Sequence, residues 1–367
     1  LKNAQFYMQH AIDLAELTIG QTRPNPSVGA VIVNNGVVVG TGSHLRAGQP
    51  HAEVHALRQA EGQTIGAEMY VTLEPCSHYG QTPPCAKAVA ESGITKVYIA
   101  TLDPNPKVAG NGVKWLKDEG IEVEVGLLEE QAKEINKAFF YFMKNKKPFV
   151  TLKTAVSLDG KMTANSGDSK WITSEAARED VHTNRHMHEA ILVGIETVLR
   201  DDPQLTTRLP HGGLNPIRFV LDTQLSIPLE SNLLVNDEAN TIVVCGNEAS
   251  QEKEEVLQAI PHVSVWRLSE NRIQLTRLLE KMKEANLMSV YVEGGSSIHS
   301  TFIQEGLFNQ IHMYMAAKLI GGLDSKSFYN QLGFDQVKDA IQVKYSNVEL
   351  VGPDLKITVV PLTEGED

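Results

Sequence analysis

Strand-like and helix-like apolar patterns alternate along nearly the whole chain, and this alternation restricts it to an α/β architecture. Phe6 to Thr18 repeats apolar residues at three- and four-residue intervals and runs into Gly20, as an amphipathic helix would. Val28–Val33 and Val37–Gly40 flank Asn34-Asn35-Gly36, whose residue types tolerate the positive φ angles of a tight hairpin. A helix from about Pro50, a strand over Met69–Leu73, a helix opening near Cys85 and a strand over Lys96–Ala100 follow. Another helix–strand pair ends in Ile121–Val125, and Glu129–Phe142 reads as one closing helix. At 367 residues the chain is too long for one ordinary core. The basic, proline-terminated segment Met143–Pro148 marks the boundary, giving domains 1–147 and 148–367.

The second half repeats the pattern. Phe149–Val156 reads as a buried strand, with further apolar runs at Ala190–Val193, Arg218–Leu221, Thr241–Cys245, Val263–Trp266, Ser289–Val292 and Ile311–Met315. Gln251–Ala259 and Leu275–Ala285 are helical between them, and Gln342–Leu350 pairs with Leu355–Pro361 around Gly352-Pro353. Charge and cysteine usage then exclude whole classes of function. With 33 Lys and Arg against 45 Asp and Glu, the net charge is −12, so no broad cationic surface exists for nucleic acid or an anionic membrane. No apolar run reaches the length of a bilayer span. The mixture of Gln, His, Asp and Glu in Leu1–Leu17 is not that of a signal peptide. Three cysteines do not make a disulfide framework, so a reducing cytoplasm is expected.

Two of those cysteines belong to the most informative constellation: His51-Ala52-Glu53, then Pro75-Cys76, then Pro84-Cys85. One imidazole and two thiolates suit Zn²⁺ and leave a fourth tetrahedral position for water, which zinc can acidify to a pKa of about 7. Glu53, as a carboxylate that is not a ligand, can carry protons from water to a leaving amine. Pro50 and Pro84 place His51 and Cys85 at helix starts, where unpaired amides favour thiolate. Spacing alone leaves the geometry open, because residues two apart on an ideal helix are rotated by about 200°. A polar helix face without metal, or a structural zinc closed by a fourth protein ligand, are the rival readings. Cys245 is an unpromising fourth ligand, and His55 reads as structural.

Taken together, His51-Ala52-Glu53, Pro75-Cys76 and Cys85 resemble the zinc-dependent cytidine-deaminase superfamily. Eight residues separate the cysteines here, where the superfamily more often has two. The string Thr72-Leu73-Glu74-Pro75-Cys76-Ser77-His78-Tyr79-Gly80-Gln81-Thr82-Pro83-Pro84-Cys85 is similar to the deaminase half of the bifunctional riboflavin-biosynthesis deaminase/reductase family. Thr22–Gly29 and Asp103-Pro104-Asn105-Pro106 fit the same family. The resemblance implies His51, Cys76 and Cys85 as zinc ligands, Glu53 as the catalytic proton shuttle, and Asn25, His44, His78, Asp103 and Asn105 around the pyrimidine and its sugar phosphate. Gln81 stands where a basic residue is expected, so a phosphate contact is not carried over to it.

In the second half, Thr151–Lys161 is a strand ending in a polar turn, Ser174 is placed to cap a helix, and Val292-Glu293-Gly294-Gly295-Ser296-Ser297 carries a strand into a helix through two glycines. These segments resemble the reductase half of the same family. The resemblance implies a cytidine-deaminase-like α/β/α domain followed by a dihydrofolate-reductase-like α/β domain. It implies NADPH contacts at Ala155, Trp171, Thr197, Asp201, Gly295, Ser296, Ser297, Ile298, His299, Ser300 and Thr301. Substrate contacts are implied at Ser169, Arg185, Leu205, Arg208 and Glu293, with the arginines as phosphate donors and Glu293 as an acceptor from sugar hydroxyls. Taken one by one, Trp171 reads equally as core and the arginines as surface ion-pair partners. The implied activity is hydrolytic deamination of a pyrimidine ribosyl phosphate, then NADPH-dependent reduction of its ribosyl chain to ribityl. A small-molecule substrate and a homo-oligomer are expected, with neither nucleic acid nor membrane as partner.

Overall fold

A computed structural model describes residues 3–79, 83–105, 108–323, 325–329 and 333–362. The chain divides into two compact units, Leu1–Lys146 and Lys147–Asp367. The first opens with α1 (Ala4–Glu16), capped by the Asn3 side chain accepting from the Phe6 amide at 3.0 Å. Strands β1 (Gly29–Asn34) and β2 (Val37–Ser43) form the hairpin, with Asn35 and Gly36 at φ 49° and 78° as its turn requires. There follow α2 (Ala52–Gln59), β3 (Glu68–Leu73), α3 (Cys85–Ala90), β4 (Lys96–Thr101), α4 (Asn111–Asp118) and β5 (Glu122–Val125). The strands order as β2-β1-β3-β4-β5, antiparallel through β1 and parallel from β3 to β5. Alternate residues face opposite layers: Ala30, Ile32, Met69 and Val71 pack with α2 and α3 residues such as Ala56 and Val89, whereas Val31, Val33 and Tyr70 meet α1. The result is an α/β/α sandwich.

Two expectations need correction. The segment after β5 is two helices, α5 (Glu129–Ile135) and α6 (Lys137–Asn145), broken at Asn136. Its buried amide exchanges two hydrogen bonds of 2.8 Å with the backbone of Ser27, so the break serves a distant loop. Pro50 lies outside α2 altogether. His51 is the N-cap residue, with extended φ −77° and ψ 170°.

The second unit begins with β6 (Phe149–Ser157), α7 (Glu175–Met187), β7 (Ala190–Gly194), α8 (Ile195–Asp201), β8 (Ile217–Leu221), α9 (Asn232–Val235) and β9 (Thr241–Cys245). It continues with α10 (Gln251–Gln258), β10 (Val263–Arg267), α11 (Leu275–Glu284), β11 (Ser289–Val292), α12 (Ser296–Gln304), β12 (Gln310–Ala316), β13 (Val343–Val351) and β14 (Asp354–Pro361). Its sheet orders β10-β9-β8-β7-β11-β6-β12-β14-β13, parallel from β10 to β12 and antiparallel at the β14-β13 edge. Apart from edge strand β10, the parallel strands are largely buried on both faces. Leu192 and Phe219 pack toward α11 and α12, while Ile191, Val193 and Val220 pack toward α8, α9 and α10. Double burial explains their unbroken apolar runs.

Candidate active sites

In the first unit the site is built where β2, α2, β3 and α3 converge. Gly40 and Gly42 of β2 let α2 close in, since a Cβ there would fall 2.2 Å from the Ala56 carbonyl oxygen and 2.1 Å from that of Ala52. The extended N-cap conformation of His51 takes its side chain off the helical spiral, so the ideal-helix rotation between His51 and Glu53 does not apply. Cys76 lies just past the carboxyl end of β3, and Cys85 is the first residue of α3. His51 Nδ1 stands 3.6 Å from Cys76 Sγ and 3.2 Å from Cys85 Sγ, and the Cys85 amide donates to Cys76 Sγ at 3.3 Å. All three donor atoms lie within 4.8 Å of one another, and no other such metal-binding group occurs among the described residues.

The electrostatics suit a cation. The Cys85 thiol and the His51 ring hold Cys76 toward thiolate, and that neighbour together with burial pushes Cys85 up. The Cys76 contact raises the affinity of His51 for a proton against the opposing effect of burial. Glu53 is 3% exposed, and its Oε2 has no hydrogen-bond partner among the described residues. Burial pushes its carboxyl up to about 7. A borderline-soft donor set of one nitrogen and two sulfurs, beside a buried orphaned carboxylate oxygen, fits zinc with a coordination position left for water.

His44 and Asn25 join this site. The rings of His44 and His51 meet edge to face with centroids 5.1 Å apart. His44 Nδ1 reaches the Pro50 carbonyl at 3.3 Å and Nε2 lies 3.1 Å from Asn25 Nδ2. A carbonyl only accepts and an amide nitrogen only donates, so the proton belongs on Nδ1 and the ring is neutral. Burial lowers its pKa in the same sense. Asp103 accepts from the Asn105 amide at 2.7 Å, and burial raises its carboxyl despite that bond and the nearby charge of exposed His78. Gln81 and Pro106 lie outside the described residues. Sequence reasoning assigned no role to Glu74, a buried carboxylate that accepts from four backbone amides. An acid at the buried end of an apolar strand was the available signal.

In the second unit, Ala155 of β6, Gly194 at the end of β7 and Glu293 after β11 stand at the carboxyl ends of neighbouring parallel strands, the usual ligand edge of such a sheet. Helices α8 and α12 start there side by side: a Cβ on Gly194 would fall 2.5 Å from Ile298 Cδ1, and one on Gly294 2.9 Å from Ile298 Cβ. A Cβ on Gly295 would meet nothing within 4 Å, which leaves the first turn of α12 bare for a close approach of phosphate. That turn holds Ser296 to Ile298, and His299, Ser300 and Thr301 follow; His299 and Ser300 are fully buried. Thr197 is on α8 and Asp201 ends it, paired with Arg200 at 3.2 Å. Trp171 is 64% exposed with Arg178 over its ring at 4.6 Å, so it is not core. These features form an open cradle that fits a dinucleotide.

The polar centre of this unit is an ion cluster. Arg185 binds Glu293 through Nε at 2.7 Å and Nη2 at 3.0 Å, and its Nη1 donates to the Thr206 carbonyl at 2.9 Å. The guanidinium is thus engaged in a buried fork, not presented as a free phosphate donor. Arg208 is exposed; its Nη1 touches Thr206 Oγ1 at 3.1 Å, and its backbone amide donates to His182 Nδ1 at 3.2 Å. Leu205, buried at φ 54°, turns the chain between them, and partly buried Ser169 lies in the segment between β6 and α7. Sequence reasoning missed Lys153, whose Nζ lies 3.8 Å from Glu293 Oε2. A lone charge inside an apolar strand was its signal. The parallel register that sets Val292 beside Leu152 brings the next residues, Glu293 and Lys153, together. Burial raises and Arg185 lowers the Glu293 carboxyl, and the attraction wins, leaving it at about 2. Burial lowers Lys153.

Known proteins divide the chain in the same way. Residues 1–101 match the family model for the cytidine and deoxycytidylate deaminase zinc-binding region, and residues 148–357 match that for the RibD C-terminal domain. The riboflavin biosynthesis protein RibD of Bacillus amyloliquefaciens is 47% identical over 363 residues, covering 99% of this chain and 97% of that protein. RibD of Escherichia coli is 38% identical, with 97% and 99% covered. Among solved structures, Acinetobacter baumannii RibD superposes with a TM-score of 0.88 at 40% identity over 98% of this chain and 99% of its own. A diaminohydroxyphosphoribosylaminopyrimidine deaminase/5-amino-6-(5-phosphoribosylamino)uracil reductase from Thermotoga maritima gives 0.88 at 38% identity, with 98% of each chain covered. With both sites in place, a family match in each half and relatives aligned over nearly its full length, the chain belongs to the RibD family of riboflavin biosynthesis proteins, bifunctional enzymes that pair a zinc-binding deaminase with an NADPH-dependent reductase.

Proposed function

We propose that residues 1–147 hydrolytically deaminate 2,5-diamino-6-(ribosylamino)pyrimidin-4-one 5′-phosphate and that residues 148–367 then reduce its ribosyl chain to ribityl. The observation that carries this reading is the convergence of His51, Cys76 and Cys85 beside the orphaned Oε2 of Glu53. When bound, zinc supplies Lewis acidity that makes water nucleophilic near neutral pH. Glu53 Oε2 takes the proton that water sheds and passes it to the departing amino nitrogen, so a ring C–O bond forms, the C–N bond breaks and ammonia leaves. His44, held neutral by Pro50 and Asn25, orients the ring, while His78, Asp103 and Asn105 contact the pyrimidine and its sugar phosphate.

In the second unit the bound nicotinamide supplies the reducing equivalents. Ala155, Trp171, Thr197, Asp201 and Gly295–Thr301 hold it at the strand ends. Ser169, Leu205 and Arg208 take the substrate, with Arg208 as the available phosphate donor. Arg185 fixes the Glu293 carboxylate, which accepts from the sugar hydroxyls, and Lys153 offers a donor beside it. We further propose a cytoplasmic homo-oligomer. The absence of a disulfide among the three cysteines supports a reducing compartment. Edge strand β13 exposes Tyr345 at 75% and Leu350 at 74%, an apolar edge that a second copy would cover.

Incubating the protein with zinc and the pyrimidine phosphate, with and without NADPH, tests the order of the two activities. Ammonia release is expected without nicotinamide, and NADPH oxidation only after deaminated product accumulates; NADPH oxidation with no ammonia released contradicts the reading. Cys85→Ser is expected to take zinc content from about one per chain to near zero and to abolish ammonia release. Reduction of material deaminated beforehand should persist in that variant.

A further inference from the structure

We propose that Glu74 is a positioning residue of the deaminase, holding the Asp103–Asn105 turn in register with the metal-binding turn. This inference rests on the reading that Asp103 and Asn105 contact the pyrimidine. Glu74 is 4% exposed, and its own amide donates to the Thr101 carbonyl at 3.0 Å, pinning it to the end of β4. Oε1 accepts from the amides of Gly112 at 2.8 Å and Val113 at 3.2 Å. Oε2 accepts from those of Gly110 at 3.0 Å and Asp103 at 3.2 Å. A carboxylate has about four lone-pair sites and no donor, so these four amides use its full capacity.

The arrangement joins three pieces of chain. Asp103 follows β4, Gly110 to Val113 open α4, and Glu74-Pro75-Cys76 carries the carboxylate and a proposed zinc ligand two residues apart. Gly112 makes the approach possible: a Cβ there would fall 2.1 Å from the Pro75 carbonyl oxygen. Asp103 in turn anchors Asn105 through its 2.7 Å bond. One buried side chain therefore sets both proposed substrate contacts relative to Cys76, without itself touching substrate.

Glu74→Gln is nearly isosteric but turns an NH₂ toward two of the amides, opposing donor to donor. The expected result is a KM for deamination raised about tenfold with kcat within about threefold, because the loss falls on binding. Zinc should stay at one per chain, and reduction of already deaminated material should be unchanged. In an Asp103→Ala background the same substitution should change KM less than about twofold, since both act through one turn. Gly112→Ala, whose Cβ would press on the Pro75 carbonyl oxygen at 2.1 Å and on Glu74 Oε1 at 3.1 Å, should reproduce the KM increase. An unchanged KM with only a lower Tm, loss of zinc, or effects of E74Q and D103A that simply multiply would each overturn the proposal. Should neither variant fold, hydrogen exchange on the wild type decides: the Asp103, Gly110, Gly112 and Val113 amides should be slow, and rapid exchange at them refutes it. A wild type that releases no ammonia, or D103A with unchanged KM, would instead refute the underlying reading.

Discussion

Glu53→Gln is expected to slow ammonia release by about 10²–10⁴-fold, the usual contribution of a positioned acid–base group. Zinc should remain bound, because Glu53 is not one of the three clustered donors. Reduction of deaminated substrate in the other unit should be unaffected. Glutamine keeps the shape of the side chain and removes the ionisable carboxyl, so the variant isolates proton transfer from packing. The pH dependence of stability provides a second readout in zinc-stripped protein. The folded carboxyl sits at about 7 against an ordinary value near 4.5, so the unfolded chain ionises first. Stability present below about 4.5 is therefore lost as pH rises toward 7, by about 3 kcal/mol. Glutamine has no such loss, and the wild-type Tm should fall below that of the variant between pH 5 and pH 8. Ammonia release at the wild-type rate would remove Glu53 from the mechanism.

Glu293→Gln should have the largest effect in the second unit. It removes the charge partner of Arg185, a residue 9% exposed whose guanidinium is forked onto that carboxylate. Breaking a buried pair on one side leaves an uncompensated charge, at a cost of about 3–5 kcal/mol. NADPH oxidation should fall about 10- to 10²-fold through loss of a charge-assisted hydrogen bond to the sugar, while deamination continues. The acid limb gives an independent check with the opposite sign from Glu53. Because the folded carboxyl is held at about 2, its stabilisation is complete above about 4.5 and is lost as pH falls from there toward 2. Thermal unfolding followed between pH 5 and pH 2.5 should show that decline in the wild type and a shallower one in the variant. A variant with wild-type stability and full reductase turnover would show that the fork neither holds the fold nor serves the reaction.

Local pattern carries information only over a few residues, and what was legible in this sequence is of that kind. The Asn35-Gly36 hairpin, the continuous apolar runs of β6 to β12, the cap at Ser174 and the turn between β13 and β14 all depend on neighbours in the chain. The His51, Cys76 and Cys85 cluster with Glu53 was legible because these residue types are rare together in one chain. Long-range packing settled the rest. Whether His51 and Glu53 meet at one site depended on His51 being an extended N-cap, against the glycine-lined strand β2. The closing helix breaks at Asn136 because that amide bonds Ser27, 109 residues away. Arg185 turns from an expected phosphate donor into a buried partner because Glu293, 108 residues on, is delivered beside it at the end of β11. Such partners are chosen by sheet order and register, which no stretch of sequence encodes by itself. The residue types therefore determined the chemistry available to this chain, and the tertiary structure decided which of those groups meet.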